Sequence, residues 1–154
     1  MFNVAKQSGL ELCFYEMNTP GIMSFMSSEG TKKIELSCIG PIYDSSKTKV
    51  GELKNFYLTK DSANLQYLVI EKEFWNKGYA SIVCEYLIKT YAIPNNLKKF
   101  IIEEIQTIND GIIYSGNLEK FKKVKDKLVK KGLAKSGEVI FNEKSRHNNI
   151  IIHL

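Results

Sequence analysis

Apolar and polar positions alternate with a period of two over residues 33–39, which predicts a half-buried strand, and residues 50–58 return as a second strand beyond the hairpin-like polar loop 44–48. Residues 60–64 read as the next turn. Residues 65–70 are then mostly apolar without alternation, the pattern of a strand covered on both faces in the middle of a sheet. From Ala80 the period changes. Ile82, Val83, Tyr86, Leu87 and Tyr91 recur at helical spacing, and Pro94-Asn95-Asn96 closes that helix. Residues 99–105 form another strand pattern. Leu118, Phe121, Val124, Leu128 and Val129 make the stripe of a second helix, which Gly132 ends in a left-handed cap followed by Leu133. Strand-like runs at 138–142 and 149–154 close the chain, separated by the polar loop 143–148.

The first thirty residues carry weaker signals: 10–16 reads as a strand, and Thr19-Pro20-Gly21 and Ser27-Ser28-Glu29-Gly30 as turns. Residues 109–117 follow no period. The order of elements predicts an α+β chain with a central mixed, mostly antiparallel sheet flanked by helices, and its 154 residues, 44% hydrophobic, suit a single domain spanning 1–154. No run of about 18 apolar residues is present and the first residues lack the character of a secretory signal, so a soluble cytoplasmic protein is expected. Cys13, Cys38 and Cys84 are odd in number and widely spaced, and only His147 and His153 supply imidazoles. That set predicts neither a disulfide framework nor a metal site, and places Cys84 in the packing of an apolar helix face.

The candidate chemistry sits at the junction of the apolar strand and the first helix. Trp75-Asn76-Lys77-Gly78-Tyr79-Ala80-Ser81 is a tight turn opening into a helical pattern. A helix's first turn has free N–H groups and a positive dipole end, and a glycine there lets an anion approach the backbone. The same turn with nothing bound is the plainer reading, since short glycine motifs recur widely.

This segment resembles motif A of the GNAT superfamily, the acyl-coenzyme A-dependent N-acyltransferases, in which a Gln/Arg-x-x-Gly-x-Gly/Ala turn holds the coenzyme's pyrophosphate. Gly78 and Ala80 fit that pattern, and Trp75 replaces the usual Gln or Arg, as in family branches with a Trp-x-Lys-Gly-Tyr-Ala turn. The succession of elements over 33–154 is also similar to the family's. The resemblance implies acetyl-CoA or another acyl-CoA as co-substrate. It implies contacts from Val69, Ile70, Trp75, Asn76, Lys77, Gly78, Tyr79, Ala80 and Ser81, and from Asn109 at the place of a family asparagine that touches the pantetheine arm. The family's tyrosine, which protonates the departing thiolate, falls in register on Leu128, which has no proton to give; Tyr114 lies near that region out of register.

Acyl transfer to an amine also needs a proton acceptor. Glu71, Glu73, Glu103 and Glu104 are the candidates, with Glu71 and Glu103 best placed where neighbouring strands of the family fold part; a solvated carboxylate balancing Lys72 or Lys77 is the commoner reading of each. His147, in the last loop, is a further residue that could border an acceptor pocket.

Charge adds a second candidate surface. Residues 118–135 hold eight lysines against Glu119 and Asp126, a local +6 that exceeds the +5 of the whole chain. A solvated helix face explains such a run, and so does a surface for an acidic ligand or an acidic protein partner. Nucleic acid is disfavoured because no arginine cluster or aromatic stripe accompanies it. Two functions are open: acyl transfer from acyl-coenzyme A to a primary amine, by a monomer or homodimer, or a catalytically idle relative that binds an acidic partner through helix 118–135.

Overall fold

The computed structural model describes residues 2–7, 10–16, 22–27, 30–35, 38–105, 118–143 and 147–154. Its strands are β1 (Phe2–Gln7), β2 (Leu10–Glu16), β3 (Ile22–Ser27), β4 (Gly30–Glu35), β5 (Cys38–Asp44), β6 (Lys49–Leu58), β7 (Ser62–Ile70), β8 (Lys99–Ile105), β9 (Ser136–Asn142) and β10 (His147–His153). Helix α1 (Tyr79–Leu87) follows β7 and widens into a π-helical turn, Ile88–Ala92; helix α2 (Leu118–Lys130) precedes β9. Eight strands form one sheet in the order β1-β2-β5-β6-β7-β8-β10-β9, and β3 pairs with β4 alone. Every neighbouring pair is antiparallel except β7 and β8, which α1 connects in parallel. The protein is therefore a mixed α+β fold with a mostly antiparallel sheet.

The apolar run at 65–70 is central because its strand has neighbours on both sides. Register aligns Phe56 of β6 with Leu65 of β7, Ile102 of β8 and Ile150 of β10, all fully or almost fully buried. Ala63, Phe100 and Ile152 form the adjoining row. Tyr91 packs on Phe56 at 5.5 Å between ring centroids, which seats the end of the α1 segment on this face. Burial of each large side chain contributes about 1.5–3 kcal/mol, and that packing anchors a helix too short to persist alone. Phe121, Val124 and Leu128 of α2 join the same core.

Both helix ends match their sequence signals. Gly132, at φ +77°, caps α2, with the Leu133 N–H donating to the Leu128 carbonyl and the Gly132 N–H to that of Val129. Beyond Pro94, Asn96 takes a left-handed φ of +56°, and the Asn95 amide donates to the Tyr91 carbonyl.

Several expectations change. The 33–39 alternation is divided between β4 and β5, which belong to different sheets; a period of two is unchanged when the chain passes from one strand to the next. Residues 10–16 form the expected strand, β2, and to it the structure adds β1 as its partner and the separate pair β3 with β4. The 60–64 turn is shorter, because Ser62 already opens β7, where Thr59 Oγ1 accepts its N–H. His147 is the first residue of β10, opposite Asn142, rather than a loop residue. Among the described residues no helix is long and apolar enough to cross a membrane.

Candidate functional site

β7 and β8 stay paired only from Ser62–Lys99 to Leu65–Ile102. Beyond that point β7 runs on to Ile70 beside β6, and β8 runs on to Ile105 beside β10. A gap therefore opens between the two parallel strands. The Glu71 N–H donates to the Val50 carbonyl at 2.8 Å, so Val69 and Glu71 direct their backbone groups to β6. By the alternation of antiparallel pairing, Leu68 and Ile70 direct theirs to the gap. Leu68 thus joins the candidate edge, a residue that sequence reasoning passed over.

The chain leaves β7 through a 3₁₀ turn, Lys72–Phe74, then Trp75 and two left-handed residues, Asn76 at φ +65° and Gly78 at φ +81°. Asparagine tolerates that conformation and glycine adopts it freely, which is why this sequence can double back and start a helix at once. Gly78 is the N-cap of α1 and brings no side chain to the helix end; the Ile82 N–H makes the first helical bond, to the Gly78 carbonyl. The first turn of α1 contains no acidic residue that would neutralise its N–H groups.

A cleft of about 270 Å³ opens over this helix end, lined on one side by Ile70, Phe74, Trp75 and residues 76 and 78–81. The other wall is α2: Lys120, Lys123, Val124 and Lys127. Those three lysines stand at i, i+3 and i+7, each one residue before a buried apolar position (Phe121, Val124, Leu128), so the α2 core stripe turns them toward α1. Sequence reasoning counted them within a basic surface and missed that they face the glycine turn. Their place beside the stripe was the available signal. Lys122 and Lys125 pair with Glu119 and Asp126, and among the described residues no carboxylate reaches Lys123 or Lys127.

Trp75 is held twice. Its indole Nε1–H donates to the Ile70 carbonyl at 2.7 Å, and the Lys120 ammonium sits over its ring, 3.1 Å from the centroid. Burial, and then the neighbouring charge of Lys123, lower the Lys120 pKa to about 8. Glu85 fixes α1 against α2 through Lys131 at 3.1 Å, and also binds Lys89 at 2.9 Å. Burial pushes the Glu85 carboxyl up, but the hydrogen bonds and charges of the two lysines outweigh it and hold it below the ordinary carboxylate value.

Ile70, Trp75, Asn76, Gly78, Tyr79, Ala80 and Ser81 come together in the cleft wall. Val69 and Lys77 are not among its lining residues; Lys77 is exposed, with its ammonium 5.5 Å from the Phe74 ring centroid. Asn109 and Tyr114 lie outside the described residues. Leu128 is a core residue, 1% exposed. Glu71 lies near Lys49, whose pKa is raised by its hydrogen bond to Glu52 and by the charges of Glu52 and Glu71. Glu103 is the first β8 residue beyond the last pair with β7, and its Oε1 accepts the Tyr57 hydroxyl at 2.7 Å. Cys84 is wholly buried in α1, which raises its thiol to about 12 and makes it packing rather than a nucleophile. Among the described residues no cluster of His, Cys, Asp and Glu could hold a metal.

No protein-family model matches the chain. No curated protein matches it. Among solved structures it is similar to Ard1 from Thermoplasma volcanium, at 14% identity over 74% of this chain and 68% of that one, with a TM-score of 0.40. A likeness at that level carries nothing about ligand or activity.

Proposed function

We propose that the cleft binds the diphosphate end of an acyl-coenzyme A and that the protein transfers the acyl group to an amine, as the GNAT superfamily does. The observation that carries this reading is the meeting, in one cleft beside the unpaired edge of β7, of the Gly78 helix start with Lys123 and Lys127. The residues fit such a group. Gly78 leaves open the space that a Cβ would take, the Lys127 ammonium stands 3.5 Å from that point beside the free N–H groups of the first turn, and the β7 edge at Leu68 and Ile70, whose carbonyl the Trp75 indole holds, suits an amide-bearing arm.

When bound, the coenzyme would supply an activated acyl group as its thioester. The chain's own part is to hold that group in place: the α1 turn and the lysines take the phosphates, and the β7 edge aligns the arm beyond them. Glu103, oriented by the Tyr57 hydroxyl at the mouth of the gap, keeps its second oxygen for the proton of an attacking amine. The fit of three α2 lysines to this cleft favours a small anionic ligand over an acidic protein partner, since a flat partner surface would not reach into it.

The test is thermal unfolding with acetyl-CoA, which stabilises by mass action if it binds only the folded chain. A dose-dependent rise in melting temperature, with coenzyme A thiol released on adding an amine panel, supports the reading. No rise at any ligand concentration, together with no heat on calorimetric titration, removes it.

A further inference from the structure

Trp75 occupies an unusual position for a residue at the mouth of a ligand cleft. Its N–H takes the Ile70 carbonyl, one of the few β7 backbone acceptors that the gap leaves without a strand partner. Lys120, itself part of the cleft wall, has its ammonium over the face of the ring. One side chain thus covers the strand edge, and one ammonium group holds that side chain down.

We infer that Trp75 and Lys120 form a ligand-responsive latch: a phosphate anion entering the cleft draws the Lys120 ammonium off the indole, and the indole then releases the Ile70 carbonyl to the ligand's extended arm. An ammonium gains a charge-assisted hydrogen bond to a phosphate oxygen, a stronger partner than an aromatic face. Lys120 stands in the row with Lys123 and Lys127, so an anion bound by those two lies within reach of the third. The like charges of Lys120 and Lys123, which oppose each other in the ligand-free cleft, are both satisfied by the same anion. The carbonyl released is one that an incoming amide N–H can use. The latch deepens the acyl-coenzyme A reading in one respect, the arm beyond the phosphate, while its phosphate half stands on the cleft alone.

Trp75 is the only tryptophan in the chain, so its indole N–H gives a single resonance in nitrogen–proton correlation NMR and its emission is unmixed. The experiment titrates native protein with inorganic pyrophosphate, then with coenzyme A, following that resonance, its solvent exchange and the emission, with calorimetry alongside. The latch predicts a saturable emission change with pyrophosphate, and with coenzyme A a displaced indole resonance that exchanges faster. In Lys120→Gln, whose folding is checked by circular dichroism, the emission begins at the ligand-bound value and pyrophosphate no longer moves it, while calorimetry still detects weakened binding through Lys123 and Lys127. Calorimetric binding with an unmoved indole resonance and emission overturns the latch and leaves the coenzyme reading standing. A pyrophosphate response without any binding of coenzyme A or acetyl-CoA upholds the anion-driven release and overturns the coenzyme reading. Absence of binding by either ligand overturns both.

Discussion

The Nζ of Lys127 lies 3.5 Å from the point where a Cβ on Gly78 would stand, so a residue of α2 guards the glycine that starts α1. A side chain at Gly78 would be strained by its φ of +81°, at a cost of about 1–2 kcal/mol, and would enter the space proposed for the anion. Gly78→Asp should stay folded, because its carboxylate meets Lys127, and that new ion pair offsets part of the strain. Its affinity for acetyl-CoA should fall by roughly a hundredfold or more through like-charge repulsion. Circular dichroism and calorimetry on the same sample check both halves; a folded variant with native affinity would place the ligand elsewhere.

Lys123→Gln and Lys127→Gln should each weaken coenzyme binding by about tenfold or more, the loss of one charge-assisted contact worth about 1.5–3 kcal/mol. Reversing Lys122 and Lys130 to Glu should change it by roughly twofold at most, since neither lines the cleft and solvent screens charges that do not reach the ligand. Titration of the four variants at two salt concentrations separates the inner row from the rest of the basic helix. Equal effects from inner and outer lysines would point to a diffuse electrostatic surface instead.

The depressed pKa of Lys120, about 8, gives the cleft a pH dependence whose sign is fixed. As pH rises through about 8 the ligand-free cleft loses one of its three charges, and phosphate affinity should fall. A bound phosphate favours the charged form, so binding near that pH should take up protons. In the free protein the unfolded chain holds this proton more tightly between about 8 and the ordinary lysine value of 10.5, so ligand-free stability gains a contribution as pH rises across that window. Calorimetry in buffers of differing ionisation enthalpy reads the proton uptake directly. Proton release, or affinity that increases above pH 8, would be inconsistent with Lys120 acting as a phosphate contact.

Glu103→Gln should lower turnover with little change in coenzyme affinity, because the residue is not part of the cleft lining and the role proposed for its carboxylate is to take the amine's proton. Tyr57→Phe, which removes the hydroxyl that orients Glu103, should lower turnover less. Steady-state kinetics across pH with the best amine of the panel compares the two; a Glu103→Gln enzyme of native turnover would assign the proton to another group.

The strand, turn and helix around Gly78 were legible because they are local: an apolar run, two residues suited to left-handed backbone, and a change of period from two to about 3.6. The meeting of Gly78 with Lys127 was not, because about fifty residues separate them and only the packing of Phe121, Val124 and Leu128 decides which way the α2 lysines turn. The same limit hid the role of Trp75. In the sequence Trp75 is only a departure from the Gln or Arg of the motif it resembles, and nothing there shows that its N–H reaches the Ile70 carbonyl. The division of 33–39 between β4 and β5 was hidden for a simpler reason, since the alternation shows no fault where the chain changes sheet.

Calorimetric titration of the native chain with acetyl-CoA is the most direct measurement of whether this cleft is an acyl-coenzyme A site. Saturable one-to-one heat is predicted, lost in Gly78→Asp and reduced in Lys127→Gln. No heat at about 1 mM ligand, with the melting temperature unmoved at the same concentration, would contradict it.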